Sequence, residues 1–123
     1  MDKPNIDILN KHIEKIKNYN IIVIVEGKKD RLALQKFGIN NIKELNKKPI
    51  FQIIEEISAS NKECIILTDL DKKGKELFGK LNSGLQKNGV RVDNQLREFL
   101  FKHTKLRQIE GLDSYLESQT LHF

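Results

Sequence analysis

Two carboxylates stand two positions apart directly after an apolar run, in the stretch IILTDLDKKGKEL at residues 65–77. They are Asp69 and Asp71, and a third carboxylate, Glu26, directly follows another apolar run. Three bare carboxylates at close range would repel one another, and a shared cation would relieve that repulsion. Mg²⁺ prefers oxygen ligands and takes one or two carboxylates while it keeps several waters. The pattern therefore predicts a site for one or two Mg²⁺ ions, with Mn²⁺ as a substitute.

Lysines crowd these carboxylates and indicate that the site also receives an anion. A metal held by carboxylates stabilises charge on a phosphoryl group, and nearby ammonium groups can contact the other phosphate oxygens. Gly27 and Gly74 allow the backbone to approach a ligand closely, and a helix that begins near Gly74 would offer free N–H groups to an anion. The predicted phosphate contacts are Lys28, Lys29, Lys72, Lys73 and Lys75.

Each of these features has a simpler explanation when it is taken alone. Asp69 or Asp71 could cap the helix that follows. The lysines could be solvated loop charges, and Glu26 could be an ordinary surface residue. The metal and phosphate interpretation depends on the coincidence of all three features at the ends of two strands.

Hydrophobic periodicity predicts the elements that would bring the carboxylates together. Two continuous apolar runs are typical of parallel strands buried on both faces, and helical spacing of Ile and Leu separates the strands. Parallel sheets of this kind bind ligands beyond the carboxyl ends of their strands. Glu26, Asp69 and Asp71 should therefore meet at one edge of the sheet. The predicted strands are IIVIV at 21–25, NNIKEL at 40–45, CIIL at 64–67 and VRV at 90–92.

The predicted fold class is α/β, a single compact Rossmann-like domain. Its mainly parallel sheet has about four strands, with helices on both faces. A chain of 123 residues is long enough for one domain with a real core. An amphipathic helix at 5–19 should precede the strands, and a helical segment at 95–118 should follow them.

Composition limits the partners and the location of the protein. A net charge of +5 and a pI near 9.3 favour an anionic partner such as RNA or DNA. No apolar run approaches the roughly 18 residues of a membrane span, and the N-terminal stretch lacks the apolar core of a signal peptide. We therefore expect a cytoplasmic protein with no membrane partner. The single cysteine, Cys64, should be a buried apolar residue.

With VEGKKD at 25–30 and TDLDKKGKEL at 68–77, the sequence resembles the Toprim domain. This small α/β module is shared by topoisomerases, bacterial primases, related nucleases and ribosomal RNA maturases. The Toprim pattern pairs a strand ending in Glu-Gly, followed by Lys and Asp, with a later strand ending in Asp-x-Asp and a nearby Gly. The resemblance covers about residues 20–93. The whole chain is also similar to short stand-alone archaeal Toprim proteins, in which a basic segment and a final helix follow the core.

The Toprim resemblance implies roles for individual residues. Glu26 would be a general acid/base or a metal ligand, and Asp69 and Asp71 would hold Mg²⁺. Asp30 and Gly74 would support the site.

The sequence departs from the Toprim pattern at Leu70, between the two aspartates, where many relatives carry proline. We expect a slightly looser loop there and no loss of a functional group. Topoisomerases and primases also act through additional domains, which this sequence does not supply.

Three functions stay open on the sequence alone. The first is a Mg²⁺-dependent phosphoryl-transfer enzyme that acts on nucleic acid, a nuclease or phosphodiesterase. The second is a non-catalytic metal- and nucleic-acid-binding module, working as a homodimer or with a protein partner in a larger complex. The third is a small-molecule phosphatase with an Asp-x-Asp pair. In such phosphatases Thr usually follows the second Asp, and the aspartate pair lies near the start of the chain. Here Lys72 follows the second Asp and the pair lies late in the chain, which counts against a phosphatase.

A basic and aromatic segment follows the strands, and it has two interpretations. It could be a solvated helix face whose aromatic rings enter the core. It could instead be a patch that contacts the phosphates of a nucleic acid beside the metal site. The cations are Arg97, Lys102, Lys105 and Arg107, and their neighbours include Phe99, Phe101 and His103.

Overall fold

A computed structural model describes the backbone of residues 3–120 and the side chains of residues 5–117. Helices and strands alternate along most of this range, as the sequence predicts. The elements are α1 (Lys3–Tyr19), β1 (Ile22–Val25), α2 (Lys28–Gln35), β2 (Ile42–Glu44), α3 (Ile50–Ser60), β3 (Glu63–Ile66), α4 (Lys72–Lys87), β4 (Arg91–Val92), α5 (Gln95–His103), a short 3-10 turn (Ile109–Gly111) and α6 (Leu112–Thr120).

The four strands form one sheet in the order β2-β1-β3-β4. All three strand pairs are parallel. Each strand lies within two residues of its predicted position at either end. The predicted α/β fold, one compact domain with a four-stranded parallel sheet, is confirmed.

Both faces of the sheet are buried, which explains why the strands show no polar alternation. Val23 and Val25 of β1 belong to the apolar cluster under α1 and α5, whereas Ile24 belongs to the cluster under α3 and α4. Side chains of successive strand residues point to opposite faces, so a strand between two helical layers must be apolar throughout. Cys64, fully buried in the second cluster, is the apolar core residue that we predicted.

The order of the strands reverses at β1. The chain leaves β1 through α2 to reach β2 on one side, and then crosses through α3 to reach β3 on the other side. In open parallel sheets the crevice at such a reversal is where ligands bind. Glu26 follows β1 directly and Asp69 follows β3 closely, so both residues lie at this reversal.

The segment after the sheet is less regular than predicted. Residues 104–108 between α5 and the 3-10 turn are not helical, so the helical pattern expected over 95–118 is interrupted. Thr104 is the physical reason, because its hydroxyl donates to Leu100 O and accepts the N–H of Leu106, which ends α5 and turns the chain. In the part of the chain that the structure describes, no helix is both long enough and apolar enough to cross a membrane.

Candidate metal and phosphate site

One hydrogen bond joins the two sequence motifs at the strand reversal. The main-chain N–H of Asp69 donates to Oε2 of Glu26 at 2.7 Å, although 43 positions separate the two residues. β1 and β3 are parallel neighbours, so residues that follow their carboxyl ends lie at the same edge of the sheet. The structure thus brings Glu26 and Asp69 together as predicted.

Both side chains line a cavity of about 460 Å³, which we call the acidic cavity. Two further carboxylates, Asp30 and Glu110, line it as well. Burial, together with the charges of Asp30, Glu26 and Asp71, raises the pKa of Asp69 to about 6, although the N–H of Ile109 opposes this shift. Burial also raises the pKa of Asp30, and the charges of Glu26 and Glu110 add to that effect. The carboxylates of the cavity therefore repel one another, and a cation between them would relieve that repulsion.

Backbone N–H groups fix the orientation of these carboxylates. The N–H of Ile109 donates to Oδ1 of Asp69 at 2.9 Å, and the N–H of Gly27 donates to Oδ2 of Asp30 at 3.0 Å. Each of these bonds uses one oxygen of a carboxylate. Asp30 thereby holds the backbone next to Glu26, and the supporting role that the Toprim resemblance implies for it stays a prediction.

The donor set of the acidic cavity fits a partly hydrated Mg²⁺. Its oxygens are the hard ligands that this ion prefers. Among the described residues, no three His, Cys, Asp or Glu side chains are clustered closely enough to hold a metal ion by themselves. Water or substrate oxygens would have to complete the coordination, as is usual for Mg²⁺.

Asp71 does not line the acidic cavity. Its Oδ1 accepts the N–H of Gly74 at 2.8 Å, so Asp71 caps the N-terminus of α4. Of the three carboxylates expected at one point, two therefore meet, and the third has the simpler capping role. Asp71 stays close enough for its charge to act on Asp69, and the cap uses only one of its two oxygens.

The predicted phosphate contacts divide into two groups. Lys28, Lys29 and Lys73 line the acidic cavity. Lys72 and Lys75 do not line it, although both are exposed near the start of α4. The structure thus places three of the five lysines in the same cavity as Glu26 and Asp69.

Sequence reasoning missed two further lysines of the acidic cavity, Lys47 and Lys48. They lie in the loop after β2, where Asn46 and Lys47 have left-handed φ angles of 47° and 61°. The N–H of Asn46 donates to the main-chain oxygen of Glu26 at 3.2 Å, which holds this loop against the site. The available signal was the polar run NKKP directly after a strand, at the same edge of the sheet.

Gly74 allows two backbone segments to meet next to Asp69. A Cβ at this position would lie 1.8 Å from the main-chain oxygen of Asp69. The hydroxyl of Thr68 donates to Gly74 O at 2.7 Å and closes the same turn. At Gly27, by contrast, a Cβ would meet nothing within 4 Å, so that glycine is not required by packing.

Arg97 lies beneath this turn and is only 7% exposed. Its guanidinium donates to the main-chain oxygens of Thr68, Asp69 and Gly74, the contact with Asp69 being 2.9 Å. Both interpretations of the basic segment, a solvated helix face and a phosphate patch, are therefore wrong for Arg97, because its guanidinium binds three main-chain oxygens inside the protein. Lys102, Lys105 and Arg107 are exposed, and their part in such a patch stays a prediction.

Leu70, the departure from the Toprim pattern, is buried and well held. Its N–H donates to the main-chain oxygen of Arg107 at 2.7 Å. Proline has no N–H, so proline at this position would remove the bond. The expectation of a looser loop is wrong for this reason. Together with the bond from Ile109 to Asp69, this contact attaches the segment after α5 to the site.

Several proteins are similar to this chain along most of its length. A UPF0292 protein of Pyrococcus abyssi is 36% identical over 110 residues, which are 89% of this chain and 82% of that protein. A UPF0292 protein of Thermococcus sibiricus is 35% identical over 121 residues, 94% of each chain. No family model matches the sequence. Among solved structures, a putative protein from Aquifex aeolicus superposes with a TM-score of 0.75 and 31% identity, covering 85% of this chain and 94% of that one.

Proposed function

The chain belongs to the UPF0292 family. We propose that it is a Toprim-type, Mg²⁺-dependent phosphoryl-transfer protein. It would act on nucleic acid in the cytoplasm, as a nuclease or phosphodiesterase. The observation that carries this proposal is the hydrogen bond between Glu26 and Asp69 at the strand reversal. It joins the Glu-Gly motif to the first aspartate of the Asp-x-Asp motif in one acidic cavity that lysines also line.

The charges of the acidic cavity support a metal and a phosphate together. Four carboxylates and five lysines line the cavity, and carboxylates close to one another repel both each other and an incoming phosphate. Lysines alone would attract phosphate but would not explain why Asp69 is partly buried among other carboxylates. A divalent cation held by the carboxylates resolves both difficulties, because it neutralises them and attracts the phosphate oxygens. The lysines that line the acidic cavity are Lys28, Lys29, Lys47, Lys48 and Lys73.

Glu26 and Asp69 are the residues that would hold Mg²⁺, and the second oxygen of Asp71 is available for a bound water. When bound, the ion would stabilise developing charge on the phosphoryl group and lower the pKa of an attacking water. Glu26 would be the carboxylate that accepts a proton from that water. Lys28 and Lys73 would hold the remaining phosphate oxygens in place.

The charge outside the cavity favours a polymeric substrate over a small phosphate ester. Outside the cavity, further exposed cations lie at the start of α4, at the end of α5 and in the segment after α5. A basic surface longer than one phosphate suits a nucleic-acid backbone, which carries one charge per nucleotide. The exposed cations concerned are Lys72, Lys75, Lys102, Lys105 and Arg107.

One observation favours the non-catalytic alternative. In the described range no three ligand side chains form a metal cluster, and Asp71 is occupied as a helix cap. Such a site would suit a module that binds a metal and nucleic acid, while a second copy or another protein supplies the missing group. This alternative predicts nucleic-acid binding without turnover.

A cleavage assay separates the two functions. The purified chain is incubated with a mixture of structured RNA and DNA, with Mg²⁺, with Mn²⁺ or with EDTA. We expect cleavage with either metal and none with EDTA. Metal-dependent binding without any cleavage would favour the binding module. Equal behaviour with Mg²⁺ and with EDTA would contradict both proposals.

A further inference from the structure

Residues 69–71, with Asp69 and Asp71 on either side of Leu70, form what we call the aspartate loop. Another concave surface, of about 300 Å³, lies beside this loop, and we call it the Phe101 groove. We propose that it binds an unpaired base of single-stranded nucleic acid, with the Phe101 ring as the stacking surface. This inference rests on the proposed function, because it specifies which class of nucleic acid the protein would bind. Residues that line the groove include Leu70, Lys75, Phe78, Arg97, Phe101 and Lys102.

The exposure of Phe101 is the first observation. Its side chain is 45% exposed, whereas Phe99, two positions earlier on α5, is 8% exposed and packs in the core. Phe78 also lines the groove, with the Arg97 guanidinium 4.6 Å from its ring centroid. The groove therefore offers an accessible aromatic ring, and a second aromatic residue lines it as well.

Cations surround the exposed ring. The ammonium of Lys75 lies 4.6 Å from the ring centroid of Phe101, and the guanidinium of Arg107 lies 5.5 Å from it. Lys102 also lines the groove, where Glu98 is the carboxylate among the lining residues. The groove thus combines a flat apolar ring with a surplus of positive charge.

This combination fits a base and its phosphate better than it fits other anionic partners. Unpaired bases stack on aromatic rings while cations contact the neighbouring phosphates. A duplex keeps its base faces stacked internally, so only a single strand presents them. A contact between a cation and an exposed ring is weaker than base stacking, so a base can replace the ammonium of Lys75 on Phe101. The released ammonium then contacts a phosphate.

The groove and the acidic cavity are lined by consecutive residues of one loop. Asp69 lines the acidic cavity and Leu70, the next residue, lines the Phe101 groove. Arg97 lines the groove and donates to the main-chain oxygen of Asp69. A strand with one base on Phe101 would therefore run across the aspartate loop toward the carboxylates.

The test is the affinity of the whole protein for a fluorescent single-stranded oligonucleotide on the order of 12 nucleotides long, within the usual site size. Fluorescence anisotropy is measured with EDTA present, so that neither metal binding nor cleavage contributes. We expect Phe101→Ala to weaken binding roughly tenfold or more. Phe101→Tyr should retain the affinity, because the ring remains. Phe51→Ala is the matched control, since Phe51 is 66% exposed on α3 and lines neither cavity.

Three results would overturn the proposal. The first is wild-type affinity in Phe101→Ala. The second is a blunt duplex of the same sequence that binds as tightly and depends equally on Phe101. The third is a polyglutamate peptide that binds with the same dependence on Phe101, which would indicate an acidic protein partner.

The groove and the proposed enzyme activity can fail separately. Mg²⁺-dependent cleavage by the wild type, with unchanged binding by Phe101→Ala, would remove the groove and leave the nuclease. Binding that depends on Phe101, without cleavage, would support the groove and remove the nuclease.

Discussion

Gly74 and Asp69 lie so close together that a Cβ on Gly74 would stand 1.8 Å from the main-chain oxygen of Asp69. The contact forms because the chain turns back after β3 to begin α4, with Asp71 as the cap. No side chain other than hydrogen fits unless one backbone segment moves. The glycine that follows the Asp-x-Asp pair is therefore required by the geometry of the turn that positions Asp69.

Gly74→Ala should destabilise the protein by roughly 1–3 kcal/mol, the usual cost of overpacking a closely packed site. Gly79→Ala on the same helix is the control, because a Cβ there meets nothing within 4 Å. Alanine in a helix interior is favoured over glycine by about 0.5–1 kcal/mol, so the control should be more stable than the wild type. Urea unfolding measures both, and equal effects of the two substitutions would show that the Asp69 turn tolerates a side chain.

Arg97→Met should destabilise the protein by roughly 2–4 kcal/mol. The substitution keeps much of the apolar stem but leaves the carbonyl groups of Thr68 and Asp69 without their donor, and each unsatisfied buried group costs about 1–3 kcal/mol. Arg107→Met, at an exposed position, should stay within about 0.5 kcal/mol of the wild type. If urea unfolding finds the two variants equally stable, Arg97 does not hold the turn.

Mg²⁺ or Mn²⁺ should raise the Tm, because a ligand that binds only the folded state stabilises it, by about 2.7 kcal/mol at a concentration 100 times its Kd. Asp69→Asn should largely remove this effect. Asp71→Asn should reduce it less, since an amide oxygen can still cap α4. Asp7→Asn, at an exposed position on α1, is the control. Calorimetry that finds equal metal affinity in the wild type and in the Asp69→Asn, Asp71→Asn double variant would exclude the metal site.

Strand positions and the meeting of Glu26 with Asp69 could be predicted because they follow from local pattern and one rule of topology. A continuous apolar run indicates a strand buried on both faces, and parallel strands place their carboxyl ends at one edge. The apolar runs IIVIV and CIIL therefore predict both the parallel strand pair and the proximity of Glu26 and Asp69.

Arg97 and Ile109 could not be found in this way, because their contacts join distant parts of the chain. Arg97 donates to residues 23 to 29 positions away, and the N–H of Ile109 reaches Asp69 across 40 positions. An arginine in the run LREFLF has the same local pattern whether it faces solvent or three carbonyl groups. The role of Asp71 was likewise undecided, since a carboxylate before a helix suits both a cap and a metal.

Asp93 should stabilise the protein at neutral pH and lose this effect in acid. Burial alone would raise the pKa of Asp93. The N–H of Gln95 lies 3.0 Å from Oδ1 of Asp93, and the ammonium of Lys15 lies 3.2 Å from Oδ2. These two contacts and the charge of Arg91 lower the pKa of Asp93 below the ordinary value of 3.8. Because the folded pKa is below the unfolded one, the contribution is present above pH 3.8 and is lost as the pH falls through the folded pKa.

The role of Asp93 is tested by urea unfolding of the wild type and of Asp93→Asn, from neutral pH to below pH 3.8. The stability difference should be largest near neutral pH and should shrink in acid. Using the difference cancels much of the titration of His12, whose pKa is lowered by burial and partly restored by the charge of Asp93. A difference that does not change with pH would exclude the role of the ionised carboxylate.

The most direct test of the central claim is the rate of nucleic-acid cleavage by Glu26→Gln in the presence of Mg²⁺. The amide oxygen can still accept the N–H of Asp69, so the Tm should stay near that of the wild type. Loss of the proton-accepting carboxylate should slow cleavage by roughly 10²-fold or more. Glu55→Gln, at an exposed position on α3, should cleave like the wild type. Cleavage by folded Glu26→Gln at the wild-type rate would contradict the proposal that Glu26 and Asp69 form the catalytic site.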